Sequence, residues 1–387
     1  MDANLAKQLL TYLVDHRQSM VDLLQSLALL ESPSQVAAAQ QPVFDLLADQ
    51  LRPLGFTVRR WYGHGTGGVL LARPVQRVRG RPAQLLLGHC DTVWPLGTLE
   101  RMPVLREDNI LRGPGVFDMK GGLVQMVAAL QALHALDLRP ALTPVLLVNS
   151  DEEIGSPEST PWIRRLAQMV ERVWILEPAY GQTGKLKTAR KGVMRFDITI
   201  YGKSAHAGLA PDEGISAILE LAHVVQRLAA LNDPDRGVTV NVGVVSGGTR
   251  PNVVAAESRA EVDVRVPTSE DAQRVAEAIL ALQPTLPGAR LSIKMHRSSL
   301  PLELTSRNQR LWQAAQQAGS LLGLDLESIG VGGASDGNTT SQFTATLDGL
   351  GVVGDGAHAA HEFVYIDTMP QRATLIALLL MAPPLNE

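Results

Sequence analysis

Three short apolar runs in the first half of the sequence each lead directly into a histidine or an acidic residue. They are QLLLG before His89, PVLLVNS before Asp151, and RVWIL before Glu177. Continuous apolar runs of this length, separated by helical patterns, are typical of strands buried on both faces of a parallel sheet. Ligands bind beyond the carboxyl ends of such strands. The sequence therefore predicts an α/β unit with polar side chains gathered at one sheet edge.

The same half alternates these strands with helical periodicity. We predict helices at 5–30, 35–54 and 121–136, and strands at 84–87, 144–149 and 172–176. This order favours a mostly parallel sheet between helices.

The middle of the chain has a different pattern. Strictly alternating segments such as MRFDITIYG predict strands at 194–202, 239–245, 258–266 and 291–296, interleaved with amphipathic helices at 215–231 and 269–282. Alternation is typical of an antiparallel sheet with one face covered by helices. We therefore predict a smaller α+β domain inserted at 191–298, with 1–190 and 299–387 forming the first domain.

Composition excludes several classes of function. The 35 Lys and Arg residues against 39 Asp and Glu give a net charge of -4, without a basic field for nucleic acid. A single cysteine, Cys90, excludes an internal disulfide and argues against a thiolate metal cluster. A metal would therefore be held by His, Asp and Glu.

The N-terminal segment predicts an amphipathic helix rather than an export signal. No run reaches the ~18 apolar residues expected of a membrane span. We expect a cytoplasmic protein that acts on a small molecule, unless an export signal has been removed from the sequence.

Two of the candidate metal ligands have simpler explanations when taken alone. His89 is followed by Asp91, a carboxylate that can fix the second ring nitrogen of a ligand histidine, but an ordinary polar pair is the alternative. Asp118 lies in RGPGVFDMKGG, where glycines permit a backbone path that aims a carboxylate inward. Its alternative is an acid that favours the start of the next helix.

The strand ends add further acids. Asp151, Glu152 and Glu153 follow one buried strand and Glu177 follows another, and such like charges repel unless a cation offsets them. Together with His89 they indicate a divalent metal held by oxygen and imidazole. The chemistry suits two metals bridged by a carboxylate, with a further acid as the base. Of Glu152 and Glu153, one is a candidate for the base and the other for a metal ligand.

With these residues in view, the chain resembles the zinc aminoacylase and carboxypeptidase family. This family includes glutamate carboxypeptidases, acetylornithine deacetylases and succinyl-diaminopimelate desuccinylases. The resemblance spans almost the whole chain and rests on segments that occur in the family's order. They are GHCDTVWP, GPGVFDMKGG, NSDEEIGS, LEPA, GKSAHAG, RPNVVAAE, VDVRVP, GGASDGN and GAHAAHEFV.

The resemblance implies a role for each residue of the metal site. Asp118 is the bridge, and its bond to Met119 is of the kind that is cis in this family. Asp91 orients His89, and Glu152 is the general base. The family pattern of a His four residues before a Glu selects His358, with His361 as the alternative. The implied metal ligands are His89, Asp118, Glu153 (first zinc), Glu177 (second zinc) and His358.

The resemblance also implies that 191–298 is a lid and dimerisation domain, and that the remainder is the catalytic zinc-binding domain. His206 matches a histidine that reaches the partner subunit's active site and stabilises the oxyanion. Asn252 and Arg265 match residues that hold the substrate's carboxylate, to which Arg suits a bidentate grip. A simple loop histidine and a solvent-facing strand residue are the alternatives for His206 and Arg265.

We therefore expect a homodimeric enzyme with two Zn²⁺ per chain, for which Mn²⁺ or Co²⁺ could substitute. The segments HCDTVWPLGTL and LEPA…GKLKTARKG are most similar to the glutamate carboxypeptidase branch, which releases a C-terminal amino acid such as Glu. A deacylase of the acetylornithine or succinyl-diaminopimelate type is the second reading. A mononuclear enzyme and a non-catalytic binding protein on the same fold are further alternatives.

Overall fold

We analysed a computed structural model, which describes residues 2–77 and 80–385. The chain divides into two compact units. The first unit contains the described residues up to Thr188, together with Leu304–Gly330 and those from Ser335 onward. The second unit contains Ala189–Glu303 and Val331–Ala334.

The helices and strands are numbered in chain order. The helices in the described residues are α1 Ala3–Asp15, α2 Arg17–Ala28, α3 Ala37–Leu51, α4 Gly121–Ala135, α5 Thr160–Ala167, α6 Ala217–Ala229, α7 Ser269–Leu280, α8 Ser306–Leu321, α9 Asp336–Thr340 and α10 Met369–Met381. The strands there are β1 Phe56–Trp61, β2 Val69–Pro74, β3 Ala83–His89, β4 Leu105–Glu107, β5 Ile110–Arg112, β6 Thr143–Asn149, β7 Arg172–Ile175, β8 Leu186–Arg190, β9 Gly192–Tyr201, β10 Thr239–Gly247, β11 Glu257–Val266, β12 Arg290–Ser299, β13 Ser328–Val331, β14 Ala345–Leu347, β15 Gly354–Asp355 and β16 Phe363–Tyr365.

The first unit is built on a six-stranded sheet in the order β1-β2-β6-β3-β7-β14. Strands β6, β3, β7 and β14 run parallel, whereas β2 pairs antiparallel with both β1 and β6. The predicted α/β class with a mostly parallel sheet is therefore confirmed. A smaller sheet of the same unit has the order β15-β16-β5-β4.

Both faces of the main sheet are buried, as the apolar runs predict. Along β3, Leu86 belongs to one apolar cluster, whereas Leu85 and Leu87 belong to another on the opposite face. The first cluster includes buried residues of α1–α4, α8 and α10, and the second includes Ile163 of α5. Each fully buried leucine contributes about 1.5–3 kcal/mol. The sheet is thus held firmly enough to present its strand ends in fixed positions.

The helix predicted at 5–30 is instead two helices, and that prediction is wrong. At His16, both the backbone N–H (3.1 Å) and ring Nδ1 (2.8 Å) bond the carbonyl oxygen of Tyr12, on whose ring the imidazole stacks. The backbone of His16 has a φ of -101° and a ψ of 12°, outside the helical region, so α1 ends there and α2 begins at the next residue. The periodicity continues through the break, which is why the sequence pattern does not reveal it.

The second unit has a four-stranded antiparallel sheet in the order β10-β11-β9-β12. Alternate residues of β9, including Phe196, Ile198 and Ile200, are fully buried against apolar residues of α6 and α7. This is the α+β arrangement predicted from the alternating pattern. Within the described residues, no helix has the length and apolar character needed to cross a bilayer.

Candidate metal centre

Three parallel strands end beside one another and bring the predicted acids to one edge of the sheet. In the register of β3 and β6, His89 lies opposite Asn149. The chain then passes from Asn149 into the turn that carries Glu152 and Glu153. Glu177 follows β7, the other neighbour of β3. The topology alone therefore collects a histidine and several carboxylates at one place.

Asp118 reaches this place from a glycine-rich approach to α4. Gly115 has a φ of +74°, a conformation that strains other residues, and the Asp118–Met119 bond is cis, as the resemblance implies. Further along, a Cβ on Gly122 would lie 2.0 Å from the carbonyl oxygen of Leu176. A side chain at Gly122 would therefore push α4 away from the segment that carries Glu177.

The two carboxylate oxygens of Asp118 face two different histidines. Asp118 Oδ1 lies 3.3 Å from Nε2 of His89, which is also 3.4 Å from Oε1 of Glu177. Asp118 Oδ2 lies 3.5 Å from Nε2 of His358, which is also 2.9 Å from Oε2 of Glu153. The structure thus brings the five predicted ligands together as two groups that share Asp118.

The donor set fits a pair of divalent ions. Two ligand atoms bound at ~2.1 Å to one tetrahedral ion lie roughly 3.3–3.4 Å apart, close to most of the observed separations. Nε2 of His89 and Oδ1 of Asp118 are buried without a hydrogen-bond partner in the part of the chain that the structure describes. Buried polar atoms are normally bonded, so these two are available to a ligand. Oxygen and imidazole donors suit zinc and also admit manganese or cobalt.

By proximity alone, the possible metal ligands form two groups of three residues that share His89. Ligand atoms of His89, Asp118 and Glu153 lie within 4.8 Å of one another, and so do those of His89, Glu152 and Glu177. His358 lies outside both groups, although its Nε2 is within 3.5 Å of Asp118 and Glu153. Glu152 therefore lies close enough to be either a metal ligand or a base beside the metals.

Asp91 lies where the resemblance assigns it. Nδ1 of His89 donates to the backbone carbonyl of Asp91 (3.0 Å) and lies 3.3 Å from its Oδ1. Because a carbonyl only accepts, Nδ1 carries a proton, and Nε2 is the ring nitrogen that faces the other acids. The Asp91 carboxylate also accepts from Ser34 Oγ (2.7 Å) and from the backbone N–H groups of Glu152 and Glu153 (3.2 and 3.1 Å). Asp91 thus bonds the ring of His89 through its backbone carbonyl and the turn of Glu152 and Glu153 through its carboxylate.

The crowding of charge shifts several pKa values. Burial, followed by the charge of Glu177, raises the pKa of Glu152 well above its usual value. Hydrogen bonds to Asp118 and Glu153 raise the pKa of His358 to about 10. Although burial opposes it, bonding to His358 and His89 holds the pKa of Asp118 below its usual range. Burial likewise raises the pKa of Glu153 to about 7, so both acids of this turn accept a proton more readily than free carboxylates do.

The structure also distinguishes the two C-terminal histidines. His358 has a φ of +59° and lies two residues after Gly356, whose φ is +86°. This turn aims the His358 ring at Asp118 and Glu153. His361 is exposed, and its backbone carbonyl accepts a bond from Arg112 (3.4 Å). The geometry therefore supports His358 as the ligand, the residue that the family pattern selects.

His206 and Asn252 are neighbours in the second unit. His206 forms an isolated β-bridge with Val253. The backbone carbonyl of Asn252 accepts a hydrogen bond from the N–H of Ala207 (3.0 Å). Nδ1 of His206 accepts from the N–H groups of Gly208 and Leu209, both at 3.2 Å. The ring proton is therefore on Nε2, which makes exposed His206 a hydrogen-bond donor.

Arg265 lies at the opposite end of β11 from that pair. Eight residue-to-residue steps separate Glu257 from Arg265, which is roughly 26 Å of extended strand. The Arg265 guanidinium is bound by Asp263, with Nε at 2.7 Å from Oδ1 and Nη2 at 3.2 Å from Oδ2. The structure thus does not bring Arg265 together with His206 and Asn252 within one copy of this unit.

Sequence reasoning assigned no role to Asp336, although its motif GGASDGN is part of the resemblance. Asp336 is buried and accepts bonds from Ser156 Oγ (2.5 Å) and Asn149 Nδ2 (2.6 Å). Burial raises its pKa to about 7. Asn149 ends β6 and Ser156 closes the turn after Glu153, so Asp336 braces the segment that carries Glu152. The Asp within that motif was the signal that could have identified it.

Known proteins are similar to this chain over most of its length. A model of the peptidase dimerisation domain matches residues 188–285. Carboxypeptidase G2 of Pseudomonas sp. (strain RS-16) is 28% identical over 376 residues, 95% of this chain and 90% of the relative. The chain belongs to the M20 peptidase family. A succinyl-diaminopimelate desuccinylase of Dechloromonas aromatica is 26% identical over 353 residues, 86% of this chain and 90% of the relative.

A structural neighbour supports the same fold. The YxeP protein of Bacillus subtilis, a dinuclear metal-binding peptidase of the M20 family, superposes with a TM-score of 0.68 at 15% identity. That match covers 95% of this chain and 98% of the neighbour. The prediction of an enzyme is confirmed: this M20 chain is a hydrolase of the metallopeptidase and deacylase type.

Proposed function

We propose that this M20 hydrolase is a dinuclear zinc carboxypeptidase. It would cleave the amide bond next to a free carboxylate and release a C-terminal amino acid, with Glu as the leading candidate, from N-acyl or peptidyl substrates. The observation that carries the proposal is the shared Asp118, each of whose oxygens faces a separate histidine with its own glutamate. The similarity to carboxypeptidase G2 over 95% of the chain supports the substrate class.

The metal ligands follow from the two groups. His89 and Glu177 would hold one zinc ion, Glu153 and His358 the other, and Asp118 would bridge them. When bound, such a pair of ions polarises the scissile carbonyl and acidifies the attacking water. Asp91 accepts the Nδ1 proton of His89, so Nε2 would be the ring nitrogen that binds the zinc ion.

Glu152 is the proposed general base. Its carboxylate lies within 4.8 Å of ligand atoms of His89 and Glu177, so it borders the place where water and substrate would meet. A base is most effective when its pKa lies near the working pH, and burial shifts the pKa of Glu152 in that direction. Glu152 would take the proton of the water and pass it to the leaving nitrogen.

The second unit is the proposed lid and dimerisation domain. His206 would donate its Nε2 proton to the oxyanion in the active site of a partner copy. Asn252 and Arg265 would hold the substrate's carboxylate. Arg265 lies at the far end of β11 from His206 and Asn252. This distance supports an arrangement in which one chain of the dimer supplies His206 and Asn252 to a site and the other supplies Arg265.

A deacylase that releases succinate or acetate from an N-acyl amino acid is the second candidate. The similarity to a desuccinylase over 86% of the chain favours it. Both reactions need the same metals, the same base and a grip on a carboxylate. They differ in which side of the amide bond the enzyme recognises.

We expect the protein to bind close to two zinc ions per chain and to lose its activity when a chelator removes them. Elemental analysis of the purified protein gives the stoichiometry. Hydrolysis of matched N-benzoyl, N-acetyl and N-succinyl derivatives of Glu and of other amino acids identifies the substrate. A carboxypeptidase keeps its rate as the acyl group changes and loses it when Glu is replaced. A deacylase shows the reverse dependence, and inactivity of the zinc-reconstituted protein would contradict both proposals.

A homodimer through the second unit is supported by an open edge of its sheet. Strand β10 pairs with β11 alone among the described strands, and Val244 and Val245 on it are 54% and 58% exposed. Ile218 and Leu219 of α6, which packs beside β10, are about half exposed as well. Exposed apolar edges promote pairing with another chain. We propose that two copies join along β10 and α6.

We expect Val245→Lys to weaken the dimer by roughly tenfold or more, since burying an unpaired ammonium costs well over ~1 kcal/mol. Analytical ultracentrifugation over a range of concentrations measures the dissociation constant. Met295→Lys is the matched control, because Met295 is 44% exposed on β12 at the other edge of the same sheet. Equal effects of the two substitutions would remove β10 from the interface.

A further inference from the structure

The carboxylate of Glu362 is buried, with 1% of the residue exposed, and four donors surround it. Oε1 accepts from the backbone N–H groups of Phe117 (2.9 Å) and Asp118 (3.0 Å). Oε2 accepts from the N–H of Gly115 (2.9 Å) and from Nε1 of Trp94 (3.0 Å).

These bonds join two loops that each carry a proposed metal ligand, and tie both to the loop that follows His89. Trp94 lies five residues after His89, in the loop that follows β3. Gly115, Phe117 and Asp118 form the approach to α4. Glu362 itself ends the turn of His358, where its N–H bonds the carbonyl of Ala359 (3.0 Å).

The chemistry of the four bonds requires a carboxylate. Every group that faces Glu362 in these bonds is an N–H donor, and an ionised carboxylate accepts at both oxygens. A glutamine has the same shape but presents one oxygen and one NH₂ group, so two of the donors would meet another donor. Buried N–H groups are almost always paired, so a glutamine would destabilise this conformation of the backbone. The backbone of Gly115–Asp118 would relax away from a glutamine to recover other partners.

We propose that Glu362 is a positioning residue that fixes the bridging carboxylate of Asp118 relative to the ring of His358. The proposal rests on the dinuclear centre proposed above. Its effect on the two metal positions is unequal. Asp118 serves both positions, but its partners His89, which ends β3, and Glu177, which follows β7, are held by the main sheet independently of Glu362. The position formed by Asp118, Glu153 and His358 depends on the two loops that Glu362 joins.

Glu362→Gln is therefore expected to weaken one of two metal ions selectively. Co²⁺ is the probe, titrated into metal-free protein against a competing chelator, with its visible absorption as a second readout of each site. We expect one ion to bind as in the parent protein and the other to bind 10–100-fold more weakly, as is typical when a partner of a ligand is lost. The absorption band of the weakened ion should also change.

Glu220→Gln is the matched control. Glu220 is fully buried in the second unit, and its carboxylate accepts from the N–H groups of Thr285 (2.9 and 3.0 Å) and Leu286 (2.6 Å). The same substitution there also leaves backbone donors without an ionised partner. Both variants should lower the melting temperature of the metal-free protein, but Glu220→Gln should leave both Co²⁺ affinities and spectra unchanged.

The outcomes separate this inference from the proposed function. If the parent protein binds no pair of ions, the dinuclear centre fails and Glu362 has nothing to position. If the parent binds two ions and Glu362→Gln binds both equally well, or weakens both equally, the positioning role is wrong. Should Glu362→Gln not fold, Glu362→Asp keeps the charge but shortens the side chain by one methylene. Parent-like binding of both ions by Glu362→Asp would also overturn the inference.

Discussion

Replacing Glu152 with glutamine is expected to lower kcat by about 10²–10⁴-fold, the usual contribution of a general base. Both metal ions should stay bound. The physical reason is that glutamine has nearly the shape of glutamate but accepts no proton at neutral pH. The fold should be unaffected, because the backbone N–H of Glu152, rather than its side chain, bonds Asp91. Turnover with a good substrate and elemental analysis of the same preparation measure both parts of this expectation.

The measurement matters because Glu152 lies close enough to His89 and Glu177 to be a ligand instead. Glu153→Gln is the matched neighbour: its carboxylate lies 2.9 Å from Nε2 of His358, so we expect that variant to lose one ion. If Glu152→Gln loses an ion as well, Glu152 belongs among the ligands. Full activity in Glu152→Gln would remove the residue from the mechanism.

The sequence predicted the parts of the site that strand topology determines. Once the apolar runs are recognised as neighbouring parallel strands, His89, the 151–153 acids and Glu177 must meet at one edge. The positions of the helices in the second unit were predicted for a similar reason, since their apolar faces have a clear period. In both cases local pattern and tertiary packing require the same arrangement.

Other features depend on contacts between distant segments, which no local pattern records. Glu362 bonds Phe117, 245 positions earlier in the chain, and Asp336 bonds Asn149, 187 positions earlier. The choice of His358 depends on a positive φ in a short turn, and the family pattern supplied that choice before geometry did. The partnership of Arg265 with Asp263 was missed, although alternate residues of a strand share one face.

Substituting alanine for His206 is the second prediction with a large effect. We expect kcat to fall about 10²–10³-fold, the loss typical of one oxyanion donor. The bonds from Gly208 and Leu209 hold the ring with its proton on Nε2, so the parent side chain needs no rearrangement to donate. Metal content should not change. His296→Ala is the control, since His296 is an exposed histidine of the same unit, on β12 beside Asp197.

Mixing His206→Ala with Glu152→Gln tests whether His206 serves the partner's site. Each heterodimer would contain one complete site, formed by Glu152 of one chain and His206 of the other. Random reassociation of equal amounts makes half of the dimers heterodimers, so activity should recover to roughly a quarter of the parent value in a symmetric dimer. If His206 instead serves its own chain, each chain of the heterodimer still lacks one of the two groups. Verified heterodimers would then stay inactive, because shared use of His206 is the one arrangement in which two inactive chains complete a site.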